Sequence, residues 1–340
     1  MVSAARPRAV ALWLYVVAAL VFAMVVVGGI TRLTESGLSM VRWEPISGVV
    51  PPLNDAEWHA EFEAYKAYPE YRKVNRGMSL DEFKAIFFWE YLHRVLGRFI
   101  GLAFALPLAW FWARRMIPEG YKPRLLALLA LGGLQGAIGW WMVASGLVDR
   151  PDVAHDRLAV HLGTALVILG GLVWTARDLM AHHRREGRSR LTVFSALALL
   201  ALAVQIVLGA FVAGLNAGHA FAEWPLMGGR FFPEGAQWLE PMWRNAVDNP
   251  VVVQWVHRWW AWIAAAMLVI LSVRTSRESG GGAPRFVLLL LTAQIILGIA
   301  TLLTGVALHV AVAHQAVAAL LVWAAVACAH GLGRPGYRMR

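Results

Sequence analysis

The chain has 340 residues, 59% of them apolar, with 17 tryptophans and only 15% charged residues. This composition excludes an ordinary water-soluble domain and fits a protein that crosses a membrane several times. The formal charge of +10 lies mainly in short loops between apolar runs, so it marks topology and excludes a nucleic-acid surface.

In chain order, the first apolar run, Ala9 to Ile30, has 22 uncharged residues, where about 20 suffice to cross the hydrocarbon core. It follows Arg6 and Arg8 as the core of a signal peptide would. It is too long for one and has no small-residue cleavage site, so a retained first helix is expected. A long polar loop, Thr31 to about Lys84, follows, and "SLDEF" (Ser79 to Phe83) has the cap and early acids of a helix start. Spans are then expected near Ile86–Ala113, Leu125–Val148 and Leu158–Ala176. The basic linker "RDLMAHHRREGRSR", with His182 and His183 expected in water, leads to a span at Leu191–Leu215 and a second long loop, Asn216 to Pro250. Val251–Val273, Phe286–Val306 and Ala311–Ala329 complete eight spans, the last two joined by a turn around Leu308 to Val310.

The two ends and the 114–124, 177–190 and 274–285 loops together hold 17 Lys and Arg, while the opposite side holds 11, spread over longer loops that also carry most of the acids. The positive-inside rule therefore places both termini in the cytoplasm. The single cysteine, Cys328, allows no internal disulfide and no cysteine-based metal site.

The chain repeats itself. Gly28, Gly37, Trp43, Gly48 and Pro52 recur as Gly209, Gly218, Trp224, Gly229 and Pro233, each displaced by 181. His93-Arg94 recurs as His257-Arg258, Gln135 and Gly139 as Gln294 and Gly298, and His161 as His314. The fold class expected is an all-α integral membrane protein, with eight transmembrane helices arranged as two tandem four-helix bundles, residues 1–185 and 190–340. An even number of spans per unit gives both halves the same orientation, related by a pseudo-two-fold axis along the membrane normal.

Of 11 histidines, His59, His155, His219 and His309 fall in or beside outer loops and His330 at an inner helix end. His93, His161, His257 and His314 differ: they stand one per even-numbered helix, within about one to two turns of its outer end, and they pair by the repeat. A lone intramembrane histidine is as well explained by a structural hydrogen bond, whereas four related by duplication point to ligation. Zinc wants more ligands than either half offers. Heme iron wants two axial ligands on opposite sides of a plane, which two facing helices supply. "GAIGWWMVASG" and "HLGTALVILGG" offer small residues that would let a macrocycle approach, or that serve close helix packing. Arg94 and Arg258 suit heme propionates, or snorkel to the interface; Arg98 has no counterpart, since the same offset reaches Trp262.

Glu90 precedes His93 by three residues and Arg94 by four, so all share one helix face, yet its counterpart is Gln254. The halves thus share a metal site but not a carboxylate, which suggests chemistry in one half and binding alone in the other. The competing reading of Glu90 is a salt bridge to Arg94 or Arg98.

"GGITRLTESGLSM", "EYLHRVLGR", "QGAIGWWMVASGL", "RLAVHLGTAL", "QWVHRWWAW" and "VAHQAVAAL" together resemble heme A synthase over nearly the whole chain. The resemblance implies an oxidoreductase of the bacterial inner membrane that converts a ring methyl of heme O to a formyl group by successive hydroxylation and dehydration. It implies a heme B cofactor between His257 and His314, heme O or heme A between His93 and His161, and Glu90 as the essential glutamate. Heme O synthase and a separate electron carrier are the partners it suggests. Both outer loops lack the cysteine pair of some bacterial members, as in the alphaproteobacterial and mitochondrial branch. Two competing readings are a di-heme cytochrome passing electrons from quinol, which the Glu90/Gln254 difference disfavours, and a histidine-relay transporter, disfavoured by the lack of paired midplane helix breaks.

Overall fold

The protein is described from a computed structural model covering residues 5–42, 47–148, 150–234, 236–279 and 281–334. Trp43 of the repeat, and Arg338 and Arg340 of the basic tail, lie outside the described residues. Ten α-helices are described: α1 (Pro7–Leu33), α2 (Asp55–Lys66), α3 (Pro69–Lys73), α4 (Leu80–Ala113), α5 (Lys122–Gly146), α6 (His155–His183), α7 (Val193–Gly214), α8 (Pro250–Glu278), α9 (Ala283–Leu303) and α10 (Leu308–Leu332). Among the described residues there is no strand, and eight helices, all but α2 and α3, are long and apolar enough to cross a membrane.

Local chemistry sets the helix starts. Proline stands in the first turn of α1, α5, α8 and α9, where its missing N–H has no helical acceptor to lose. Ser79 and Glu82 form a reciprocal capping box at α4, and Asn249 caps α8 through Val251 N and Val252 N. The capping box starts α4 six residues before the expected span. At 34 residues the helix is about 51 Å long, against roughly 30 Å of hydrocarbon, so its first turns stand outside. There Phe83 and Phe87 pack with Phe62, Tyr65 and Val41 in a separate aromatic core under α2 and α3. Each such side chain, fully buried, contributes roughly 1.5–3 kcal/mol. The 31–84 loop is therefore a small helical cap, an organisation its polar composition had not revealed.

Pro107 lies inside α4 and deprives the Ala103 carbonyl of its helical donor. The Trp13 indole N–H of α1 donates to that carbonyl at 2.9 Å, so the break is repaired by a neighbouring helix. The turn between α9 and α10 sits earlier than expected, at Thr304 to Ala307, because Gly305 (φ 61°) and Val306 (φ 64°) adopt the left-handed conformation that ends α9.

In the first half α1 packs on α4 and α6, and α5 on α4 and α6. In the second, α7 packs on α8 and α10, and α9 on α8 and α10. The halves meet where α10 touches α1 and α6 and where α6 touches α7. Matching turns follow α1 and α7: Glu35 and Asn216, displaced by 181, both have φ 51°. Opposite the long loops, Asp178 is 1% exposed. It accepts from Arg124 at 2.6 Å and from Ser189 N at 3.3 Å, and lies 2.9 Å from His330 Nε2. His330, expected to be unremarkable at an inner helix end, is fully buried and belongs with Asp178 and the partly exposed Arg124 to a polar cluster that ties α5, α6 and α10 together.

Candidate functional site

The four repeated histidines lie on α4, α6, α8 and α10. His161, His257 and His314 stand in the second or third turn of their helices, as expected. His93 is 13 residues into α4 because that helix begins beyond the membrane. Each imidazole leans on a glycine of the neighbouring odd-numbered membrane helix. A Cβ added at Gly139, Gly209 or Gly298 would come within 3.0, 3.0 or 2.9 Å of Cε1 of His161, His257 or His314. One at Gly28 would lie 3.4 Å from His93 Nε2. The glycine punctuation of the repeat therefore makes room for imidazoles.

The His93 and His161 ring centroids are 6.4 Å apart. An imidazole centroid lies about 1.1 Å from its nitrogen and a metal–nitrogen bond is about 2.0 Å, so two rings ligating one ion from opposite sides stand about 6.2 Å apart. The first pair thus has the spacing of a trans bis-imidazole site. Among the described residues there is no group of three or more His, Cys, Asp or Glu that could hold a metal ion.

Glu90 is 2% exposed and has three donors: Arg94 Nη2 at 2.6 Å on Oε1, and Ser39 Oγ at 2.8 Å and Met40 N at 2.7 Å on Oε2. The salt bridge weighed for Glu90 thus forms with Arg94. It is one part of a carboxyl cradle whose other donors, in "GLSM", gave no sign in the sequence. Arg94 also donates to Met40 O at 2.7 Å and Arg42 O at 3.0 Å. The second half repeats this clamp, with the acceptor carbonyls displaced by 181 and the arginine by 164: Arg258 donates to Phe221 O at 2.9 Å and Glu223 O at 2.7 Å, and additionally to Leu226 O at 3.2 Å. Gln254 inverts Glu90's part, donating to Phe221 O at 3.0 Å. Both arginines thus fasten an outer loop over the neighbouring histidine, a role the sequence had not suggested. Arg98 lies one turn farther along α4 and is partly buried. In "HRWWAW", Trp259 packs on Trp224 and Phe231, Trp260 donates to Ala201 O at 2.9 Å, and Trp262 is exposed on the helix surface.

Residues 11–326 match the COX15-CtaA model, described as cytochrome oxidase assembly protein. The chain belongs to the COX15-CtaA family. Among relatives of this COX15-CtaA member, a protein of Rhizorhabdus wittichii named heme A synthase is 56% identical over 97% of this chain and 96% of its own length. Similar proteins of the same name occur in Sphingopyxis alaskensis, 53% identical over 97% and 94%, and Novosphingobium aromaticivorans, 52% identical over 96% and 95%. These relatives are alphaproteobacterial, the branch expected from the cysteine-free outer loops.

Proposed function

We propose that this protein makes heme A by oxidising a ring methyl of heme O to a formyl group, and that it is an oxidoreductase of the inner membrane. The observation that carries the reading is the buried Glu90, held three residues from His93, whose ring stands 6.4 Å from that of His161. The full-length similarity to proteins named heme A synthase supports it.

In this reading residues 1–185 form the catalytic bundle and 190–340 the cofactor bundle, related by the pseudo-two-fold axis. His93 and His161 hold the substrate heme. His257 and His314 would hold heme B, which when bound supplies one-electron transfer. Glu90 lies beside the substrate, with its carboxyl orientation fixed by Arg94, Ser39 and the Met40 N–H before any substrate arrives. So placed, it takes up a proton released as the methyl is oxidised, or stabilises positive charge developing there. A fixed carboxylate does this without reorganisation, and Gln254 in the other half has neither ability. Arg94 and Arg258 hold the outer loops down as walls that exclude water, and with Arg98 offer remaining guanidinium hydrogens to propionates. The basic loops set both termini in the cytoplasm. Heme O synthase is the natural donor of substrate, and a separate electron carrier removes the electrons.

The test is extraction and chromatographic identification of hemes from membranes expressing this chain with heme O synthase, beside Glu90→Ala. Heme A with the wild type only, and heme B retained in the variant, is expected. Heme O accumulating unchanged beside wild-type protein in a competent host would overturn the reading.

A further inference from the structure

Four residues before each histidine-bearing glycine, on the same helix face, the odd-numbered membrane helices place Gln135 before Gly139, Gln205 before Gly209, Gln294 before Gly298, and Met24 before Gly28. The glutamines sit against the histidines. Gln135 Nε2 lies 3.1 Å from His161 Nδ1 and donates to His161 O at 2.9 Å; Gln205 Nε2 lies 3.1 Å from His257 Nδ1 and donates to His257 O at 3.1 Å. Gln294 Nε2 lies 3.4 Å from His314 Nε2. The Oε1 atoms of all three glutamines, and Nδ1 of His314, are buried without a partner. A ring that gives Nε2 to iron carries its proton on Nδ1 and needs an acceptor there. Turning the Gln135 and Gln205 amides supplies one, in exchange for their bond to the histidine carbonyl; at His314 the ring must turn as well, since Gln294 faces its Nε2.

His93 departs from the pattern. Its ring makes no hydrogen bond among the described residues, and the counterpart of Gln205 is Met24, whose Cε lies 3.3 Å from a Cβ added at Gly97, one turn beyond His93 on α4. Gly28 faces the Nε2 and Cδ2 edge of His93 at 3.4 and 3.6 Å, whereas the other three glycines face the Cε1 and Nδ1 edge more tightly. The His93 seat is thus looser and the ring turned over.

Building on the two-heme reading above, we propose that Gln135, Gln205 and Gln294 are positioning residues that fix the heme-facing orientation of His161, His257 and His314. Met24 withholds that support from His93, so the first half grips its heme with one firm ligand and one that releases. Loss of such an outer partner typically weakens a metal site about 10–100-fold. That suits a site whose substrate must enter and whose product must leave. The cofactor site in the second half has both supports.

The test uses full-length purified protein and two measurements: the midpoint potential of the second-half heme, and the rate at which the first-half heme passes to excess apomyoglobin. Gln205→Leu removes an acceptor from the ligand and is expected to raise the potential with heme retained, while Gln205→Glu lowers it. Met24→Gln is expected to slow transfer of first-half heme at least about 10-fold, and Met24→Leu to leave it unchanged. Heme-loaded variants with wild-type potential and transfer rate, or equal slowing by Met24→Gln and Met24→Leu, overturn the assignment while leaving the two-heme reading intact. Wild-type protein that binds no heme overturns both.

Discussion

Gly209→Ala tests whether the glycines of the repeat exist to seat imidazoles. Its Cβ would stand 3.0 Å from His257 Cε1 and 3.6 Å from Nδ1, whereas carbon atoms rest at about 3.5–4.0 Å. The ring must therefore retreat by about 0.5 Å or the helices must part. Overpacking of this kind costs about 1–3 kcal/mol, and because His257 is held to Gln205 on the same helix it has little freedom to yield. Converted at 1.4 kcal/mol per tenfold, the expected loss of heme affinity is about 5–150-fold. Alanine is the better helix former by about 1 kcal/mol, which offsets part of that cost, so the variant should still fold and lost heme reports on the site. Gly28→Ala is the internal control: its Cβ meets His93 at an ordinary 3.4 Å, and affinity should change less than about 2-fold. The assay is titration of purified protein with heme, followed by absorbance. Wild-type affinity in Gly209→Ala, or equal loss in Gly28→Ala, would refute the reasoning.

His257→Ala should abolish the permanently bound heme, while His93→Ala should retain it; equal loss from both, read as heme per protein after purification, would contradict the division between halves. Asp178→Ala leaves the buried His330 without its partner, while the partly exposed Arg124 keeps water, and should lower stability by about 1–3 kcal/mol, seen as a lower melting temperature in detergent with the heme spectrum unchanged while folded. In the outer cap, burial pushes the Glu70 carboxyl up to about 8, with the negative charge of Glu90 adding to the effect and a hydrogen bond from Tyr65 opposing it. An acid whose folded-state value is raised binds its proton more tightly when folded, so the cap should be stable below about pH 4.5, weaken as pH rises towards 8, and level off above, by on the order of 5 kcal/mol. Glu70→Gln should flatten that profile in hydrogen exchange of α2 and α3; an unchanged slope would contradict it.

Eight spans, the repeat and the four paired histidines were legible in the sequence because hydrophobic length and spaced polar residues in an apolar run are local signals that nothing else in a membrane helix produces. The Glu90/Gln254 asymmetry was legible for the same reason, as a difference between two copies of one pattern. What makes Glu90 a held carboxyl was not: Ser39 and Met40 lie about 50 residues away in a loop whose polar composition resembles any other loop, and only folding brings their donors to Oε2. Arg94 and Arg258 are similar cases, since a guanidinium beside a histidine suits a propionate as well as a carbonyl, and only folding brings the outer-loop carbonyls that both arginines hold. Asp178 and His330, 152 residues apart, look like ordinary helix-end residues until α6 and α10 pack together. The sequence alone determined where the chain enters the membrane and which side chains recur, because both depend on neighbours in the chain. Tertiary structure alone decided which recurring side chains have partners, because a hydrogen bond across a bundle is set by helix packing and leaves no period in the sequence.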